Sequence, residues 1–209
     1  MSFAGSVTPP TANQPSPSGT IPTCAGLPWK VGDLTQLYLV PSATLYGTAR
    51  HREKAPDLPW AEAPVETWDD EHPLAELFNL SVPEGVDFVS ADERVHVASV
   101  LVRHRQSGIV HVDDTFNVMA ASGTLGKILP QSSLRMHPML SRALSQSPGS
   151  ADAFAGWARW LASAWSKTSI VCAAHSAVRE LPAGGFKKEV EDALAKVSGI
   201  LDGHRKRYG

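Results

Sequence analysis

The 209-residue chain has little cysteine, no excess of basic residues and no long apolar run. Only Cys24 and Cys172 occur. That is too few for a disulfide framework or a thiolate zinc knuckle, so a reducing, cytoplasmic setting is the expectation. Nineteen Lys and Arg against 21 Asp and Glu leave a net charge of -2. With no basic stripe, neither nucleic acid nor an anionic membrane surface is an expected partner. No segment reaches the ~18 uninterrupted apolar residues of a membrane-spanning helix. Charge is also missing from residues 1–29, Lys30 being the first charged residue. Residues 6–23 (SVTPPTANQPSPSGTIPT) are rich in Pro, Ser and Thr, have almost nothing to bury and read as an extended tail. That tail lacks the basic start and apolar core of a secretory signal. The expected organisation is a tail over 1–26, one α/β domain over 27–201 and a frayed basic end over 202–209 (DGHRKRYG).

What is present is a 43% apolar composition and eight histidines, enough for one domain with a core and a supply of versatile side chains. Residues 34–40 (LTQLYLV) read as a strand ended by Pro41, and 44–46 as a second short one. Residues 50–71 read as a proline-punctuated loop anchored by Trp60 and Trp68. Asp69 or Asp70 is expected to cap a helix over 72–80, with Leu74, Leu77 and Phe78 on one face. Residues 86–89 are β-like. The clearest element is a hairpin of 97–104 (VASVLVRH) and 109–113 (IVHVD), reversed at Arg105-Gln106-Ser107-Gly108 and placing His104 and His111 as cross-strand neighbours.

Further on, 127–129 is apolar and Pro138 opens a helix to Leu144. Ser150 is expected to cap a helix over 151–165 that buries Phe154, Trp157, Leu161 and Trp165, with Trp160 at the edge of the stripe. The run 168–174 (TSIVCAA) reads as a strand covered on both faces. A helix over 186–201 then turns Phe186, Val190, Leu194, Val197 and Leu201 inward. Strands followed by helix, strand and helix predict a layered mixed α/β sheet with flanking helices and no internal repeat.

Three chemically able residues fall at strand ends: His96 before the first hairpin strand, Asp114 after the second, and His175 after the 168–174 run. A strand end frees a side chain from the packed layer while its backbone stays fixed. Two imidazoles and a carboxylate suit zinc, iron or manganese. A lone histidine is ordinarily a surface or hydrogen-bonded core residue, and Asp113-Asp114-Thr115 equally fits an Asx turn. Other chemistries have less behind them. Gly123-Thr124-Leu125-Gly126-Lys127 lacks the spacing and hydroxyl of a phosphate loop. Cys172 reads as a small packed hydrophobe, and Ser176 stands in no nucleophile elbow. His51 is flanked by Arg50 and Arg52, which disfavours a nearby metal.

Residues 93–115 (ERVHVASVLVRHRQSGIVHVDDT) resemble a stretch of the metallo-β-lactamase-fold proteins. There a ligand histidine opens a strand pair, a small-residue turn reverses it, and the second strand ends in Gly-Asp-Thr or a close variant. Here the histidine is His96 and the ending is Asp113-Asp114-Thr115, with Asp113 where glycine is usual. Val171-Cys172-Ala173-Ala174-His175 is similar to the later strand that delivers a final ligand histidine, with Ala174 where the family often has glycine. The resemblance implies a metallo-β-lactamase-like α/β fold spanning roughly 34–201, with His96 and His175 as zinc or iron ligands and Asp114 as a bridging one.

The family's His-x-His-x-Asp-His signature is absent, and Asp69-Asp70-Glu71-His72 has the wrong spacing to replace it. Only about forty residues precede the segment 41–51 (PSATLYGTARH), ahead of which that signature lies in the family, so the first layer is expected to be shortened or lost. The expectation is therefore a hydrolase domain acting on a small molecule of unknown identity, with an impaired metal site that holds zinc or iron weakly or not at all. The alternative is a non-catalytic scaffold or interaction domain derived from the same fold. A missing first layer would leave an open sheet edge and favour self-association, unless Trp29, Trp60 and Trp68 cover the exposed face.

Overall fold

The computed structural model describes residues 45–68, 72, 74–87, 95, 97–118, 133–173 and 178–209. The predicted strand 34–40, the apolar stretch 127–129, residues 88–89 of the β-like 86–89, and Trp29 lie outside them. The order of elements is α1 (Ala49–Lys54), a 3₁₀ turn (Val65–Thr67), β1 (Phe78–Ser81), β2 (Leu101–His104), β3 (Ile109–Asp113), β4 (Phe116–Asn117), β5 (Arg135–Met136), α2 (Leu140–Ala143), α3 (Ser150–Ala164), β6 (Ile170–Ala173), β7 (Val178–Glu180), α4 (Gly185–Lys196) and α5 (Ser198–Tyr208). This is the mixed α/β class that the sequence predicts. Among the described residues, five strands form a sheet in the order β1-β2-β3-β6-β7, and β4 pairs with β5 apart from it. All neighbours in the main sheet are antiparallel except β3 and β6, which run parallel. The crossover between them carries α3, as a parallel pair requires.

One face of the sheet is packed. Leu101, Val110, Val112 and Val171 are fully buried and join Phe154, Trp157, Leu161, Phe186 and Val190 in a single core. The α3 stripe buries Phe154, Trp157 and Leu161, with Trp165 buried just past its end, and leaves Trp160 53% exposed, as the 3.6-residue period demands. Trp157 Nε1 donates to Ser81 Oγ at 2.9 Å, tying α3 to the edge strand β1.

Several predicted elements differ, each for a local reason. The expected helix 72–80 is a single turn, closed by Phe78 N–H on the Leu74 carbonyl, before the chain enters β1 and Phe78 pairs opposite His104. Nine residues of helical spacing are marginal alone, and strand pairing overrides them; its expected caps Asp69 and Asp70 lie outside the described residues. Leu45 makes an isolated bridge to Trp60 in place of a strand over 44–46. The expected loop 50–71 begins inside α1, which is closed by a capping box in which Thr48 and His51 satisfy each other's backbone N–H groups.

In the hairpin, regular pairing of the first arm begins only at Leu101, and the reversal at Arg105–Gly108 holds, with Gly108 at φ 69°. His104 and His111 are not cross-strand neighbours. His111 pairs with Val102, while His104 lies opposite Phe78 with the rings 5.5 Å apart. Helix α2 covers only part of 138–144. Ser150 is the first residue of α3 and is buried; the cap is Gly149 at φ 82°, with no side-chain cap bond.

The expected helix 186–201 breaks at Val197 (φ -102°, ψ 8°), where a β-branched residue precedes Ser198 and Gly199, both weak helix formers. The second piece runs on to Tyr208, so residues 202–209 are not frayed. His204 is buried and its Nε2 lies 2.8 Å from the Ser145 carbonyl, while Arg205 Nε donates to Asp152 at 2.9 Å. Tertiary anchors thus hold a segment whose composition alone reads as a basic tail. Finally, among the described residues β6 is covered fully on one face only. Val171 is fully buried and Ala173 packs against the core, whereas Ile170 and Cys172 on the other face stay partly exposed. No helix among the described residues is long and apolar enough to cross a membrane.

Candidate functional site

The chemistry-bearing region is set by strand direction. Because β3 and β6 are parallel, with Asp113 opposite Ala173, both deliver their carboxyl ends to the same end of the sheet. Because β2 is antiparallel to β3, the residues that lead into β2 arrive at that end too. Thr115 fastens the meeting point: its Oγ1 donates to the Val97 carbonyl at 2.8 Å and accepts from Ser99 Oγ at 2.8 Å, with both side chains buried. Three segments therefore close on one another here: the one through Val97, the turn after β3, and the end of β6.

Of the predicted site residues, Asp114 is described and is half-buried in the turn that follows β3. Its backbone approach is unusual. Asp113 has φ 45°, the sole positive φ among the described non-glycine residues, and the β3–β6 register shifts between His111 and Asp113. A β-bulge bends its strand and re-aims the next side chain, and a left-handed conformation is one that glycine adopts without strain. The position that the family resemblance marks as a usual glycine is therefore the position whose backbone asks for one. His96 and His175 lie outside the described residues, as do Ala174, Ser176 and the stretch 123–127. Val97 adjoins position 96, and Ala173 stands two residues before position 175.

Among the described residues, no group of three or more His, Cys, Asp and Glu side chains is gathered as a metal site. His51 is engaged elsewhere, its Nδ1 accepting from Thr48 N–H at 3.2 Å. His72 stacks on Trp68 with the ring centres 3.5 Å apart, and its Nδ1 accepts from Leu74 N–H at 3.2 Å. Burial pushes the Cys172 thiol up from its ordinary value, which fits a packed hydrophobe better than a nucleophile. The donor set proposed from sequence, two imidazoles and one carboxylate, has the chemistry to hold one divalent ion and too few members for two.

Sequence reasoning missed the Ser99–Thr115 pair. The only signal for it was a threonine following the two aspartates. It also missed a groove of about 260 Å³ on the opposite side of the sheet, whose lining includes Tyr46, Val65, Trp68, Phe78, Leu80 and Val102. Trp68 lines that groove together with residues of β1 and β2, whereas Trp60 lies against Gly47 and stacks with His51 in its own segment.

No protein-family model matches this chain, and no curated protein matches it in sequence. Among solved structures it is similar to a crystal structure of the DIM-1 metallo-beta-lactamase exposed to ceftazidime, at 17% identity and a TM-score of 0.40. The match covers 79% of this chain and 62% of that one.

Proposed function

We propose that this chain is a metallo-β-lactamase-like hydrolase domain with an impaired metal site, in which His96 and His175 are ligands and Asp114 completes the set. The observation that supports it is the junction of the Val97 segment, the β3 turn and the β6 end, held by Thr115 and bent by the left-handed Asp113. Ligands in open α/β sheets gather at the carboxyl ends of parallel strands, and Val97, next to His96, and Ala173, two residues before His175, belong to that junction. A zinc or iron ion held there supplies Lewis acidity and a bound water of lowered pKa. The chain's own part is to fix the donors: the bulge aims Asp114, and the Thr115 hydroxyl holds the backbone next to position 96. Three protein ligands are the minimum for a catalytic zinc, and no His-x-His-x-Asp-His run is present to reinforce them. Binding is therefore weak, and hydrolysis of a small-molecule substrate slow.

Zinc and iron measured after native purification, followed by zinc titration with thermal unfolding as the readout, test this. The expected result is substoichiometric metal on isolation and a rise in Tm that appears only at high free zinc and disappears in His96→Ala and His175→Ala. A bound ligand at 100 times its Kd adds about 2.7 kcal/mol of stability, so a tight site would be plain. One tight equivalent per chain, lost in both variants, would overturn the weak-site reading. No response to zinc or chelator at any concentration, with no turnover of ester, lactam or phosphodiester substrates, would replace it with the non-catalytic scaffold. A cytoplasmic setting accords with the low cysteine content.

A further inference from the structure

The face of the main sheet opposite the core is mostly apolar and, among the described residues, only partly covered. Register fixes its membership. Leu80, Val102, His111, Cys172 and Val178 are successive cross-strand partners and form one continuous rung over all five strands. Ile109 and Ile170 pair as part of the next rung on the same face. At the β1–β2 end, Tyr46, Val65 and Trp68 pack over Leu80 and Val102. Towards β7 the cover thins: Ile109 is 38% and Val178 60% exposed, and His111, Ile170 and Cys172 are half-buried. The core face of the same strands is closed at Val110, Val112 and Val171.

We infer that the uncovered β3–β6–β7 part of this face is the docking surface for the chain's own residues 34–40 (LTQLYLV). Length and point of entry favour this occupant. The described chain begins at Leu45, and Tyr46, Gly47 and Thr48 line the groove over β1 and β2, so the point from which residues 34–40 must reach stands on this side of the sheet. Only residues 41–44 separate the apolar run from Leu45. Four extended residues reach roughly 14 Å, about the distance from β2 to β7 at ~4.8 Å per strand. Seven extended residues span about 23 Å, ample to cross the three uncovered strands. The run carries no charge, and Leu34, Leu37, Tyr38, Leu39 and Val40 match Ile109, Ile170, Cys172 and Val178, with His111 and Glu180 as the polar members of that face. Burying apolar area on both partners is favourable at roughly 25 cal/mol per Å². The Pro- and Ser-rich residues before it offer no comparable apolar surface.

The test uses the full-length chain with Cys24→Ser, so that Cys172 is the only thiol, and reads its maleimide labelling rate. The expected result is slow labelling that rises at least tenfold in Leu37→Asp/Leu39→Asp, with the far-UV circular dichroism retained. An unchanged rate overturns the inference. If the double variant does not fold, a photo-crosslink decides instead. Val178→Cys, made in a chain also carrying Cys24→Ser and Cys172→Ser, is labelled with a benzophenone maleimide and irradiated. Insertion into the tryptic peptide 31–50 of the same chain supports the docking. Insertion elsewhere, or only in dimers whose yield rises with concentration, overturns it, and the dimer result assigns the face to a second copy.

Discussion

Replacing Asp113 separates the backbone of the bulge from its side chain. At φ 45° the residue occupies the left-handed region, where an L-residue with a Cβ is disfavoured by roughly 1–2 kcal/mol. Aspartate tolerates this better than most residues because its short polar side chain can bond locally, and Asp113 has an interaction of its own. A single substitution to glycine would mix the relief of strain with the loss of those contacts. Comparing Asp113→Gly with Asp113→Ala removes the side chain in both and leaves only the conformational difference. Glycine avoids the 1–2 kcal/mol, less roughly 0.4–1 kcal/mol for its greater freedom in the unfolded chain. Asp113→Gly should therefore be the more stable of the two by about 0.8 kcal/mol. A domain of this size shifts its Tm by roughly 2–4 °C per kcal/mol, so the difference is about 2–3 °C. Urea unfolding at equal m-values, checked by thermal melts, gives the measurement. Equal midpoints, or a more stable alanine variant, would refute a left-handed bulge at the end of β3 and with it the aiming of Asp114.

Thr115→Val keeps the shape but removes the hydroxyl that joins Ser99 to the Val97 carbonyl. Leaving a buried polar group unpaired costs about 1–3 kcal/mol, and faster hydrogen exchange at residues 97–99 than at β2 would locate the loss. At Gly85, with φ 70°, a Cβ would come within 2.0 Å of the Ser150 carbonyl oxygen; Gly85→Ala should therefore destabilise by about 3 kcal/mol or more in urea unfolding. His204→Ala removes the buried ring that meets the Ser145 carbonyl, a loss of about 1–3 kcal/mol. Hydrogen exchange should then show residues 198–208 fraying well before residues 185–196, and equal protection of the two helices would contradict the anchoring role. Burial raises the Cys172 thiol above its ordinary value. In the Cys24→Ser chain its labelling should thus stay slow at neutral pH and accelerate only at pH above that of a free cysteine, whereas a pH-independent rate would refute the desolvation argument.

The amino-acid sequence alone determined what depends on neighbours along the chain. The period of Phe154, Trp157 and Leu161 set the buried face of α3 and left Trp160 outside it, and the β-branched runs on either side of Gly108 set the β2–β3 hairpin. It was the family resemblance, and no spacing in the chain, that marked Asp113 as standing where glycine is usual. Tertiary structure decided whatever depends on partners far away in the chain. The segment 72–80 carries helical spacing, yet its last three residues join the sheet, because Phe78 and Leu80 find partners on β2. The basic end 202–209 becomes helix because Ser145 and Asp152 lie beside it. The site follows the same division. Residue types and strand-end positions were readable from sequence, because each is a local property of one segment. That the Val97 segment, the β3 turn and the β6 end meet was not, because their meeting rests on one parallel pairing and one threonine hydroxyl, and neither leaves a periodic mark in the chain.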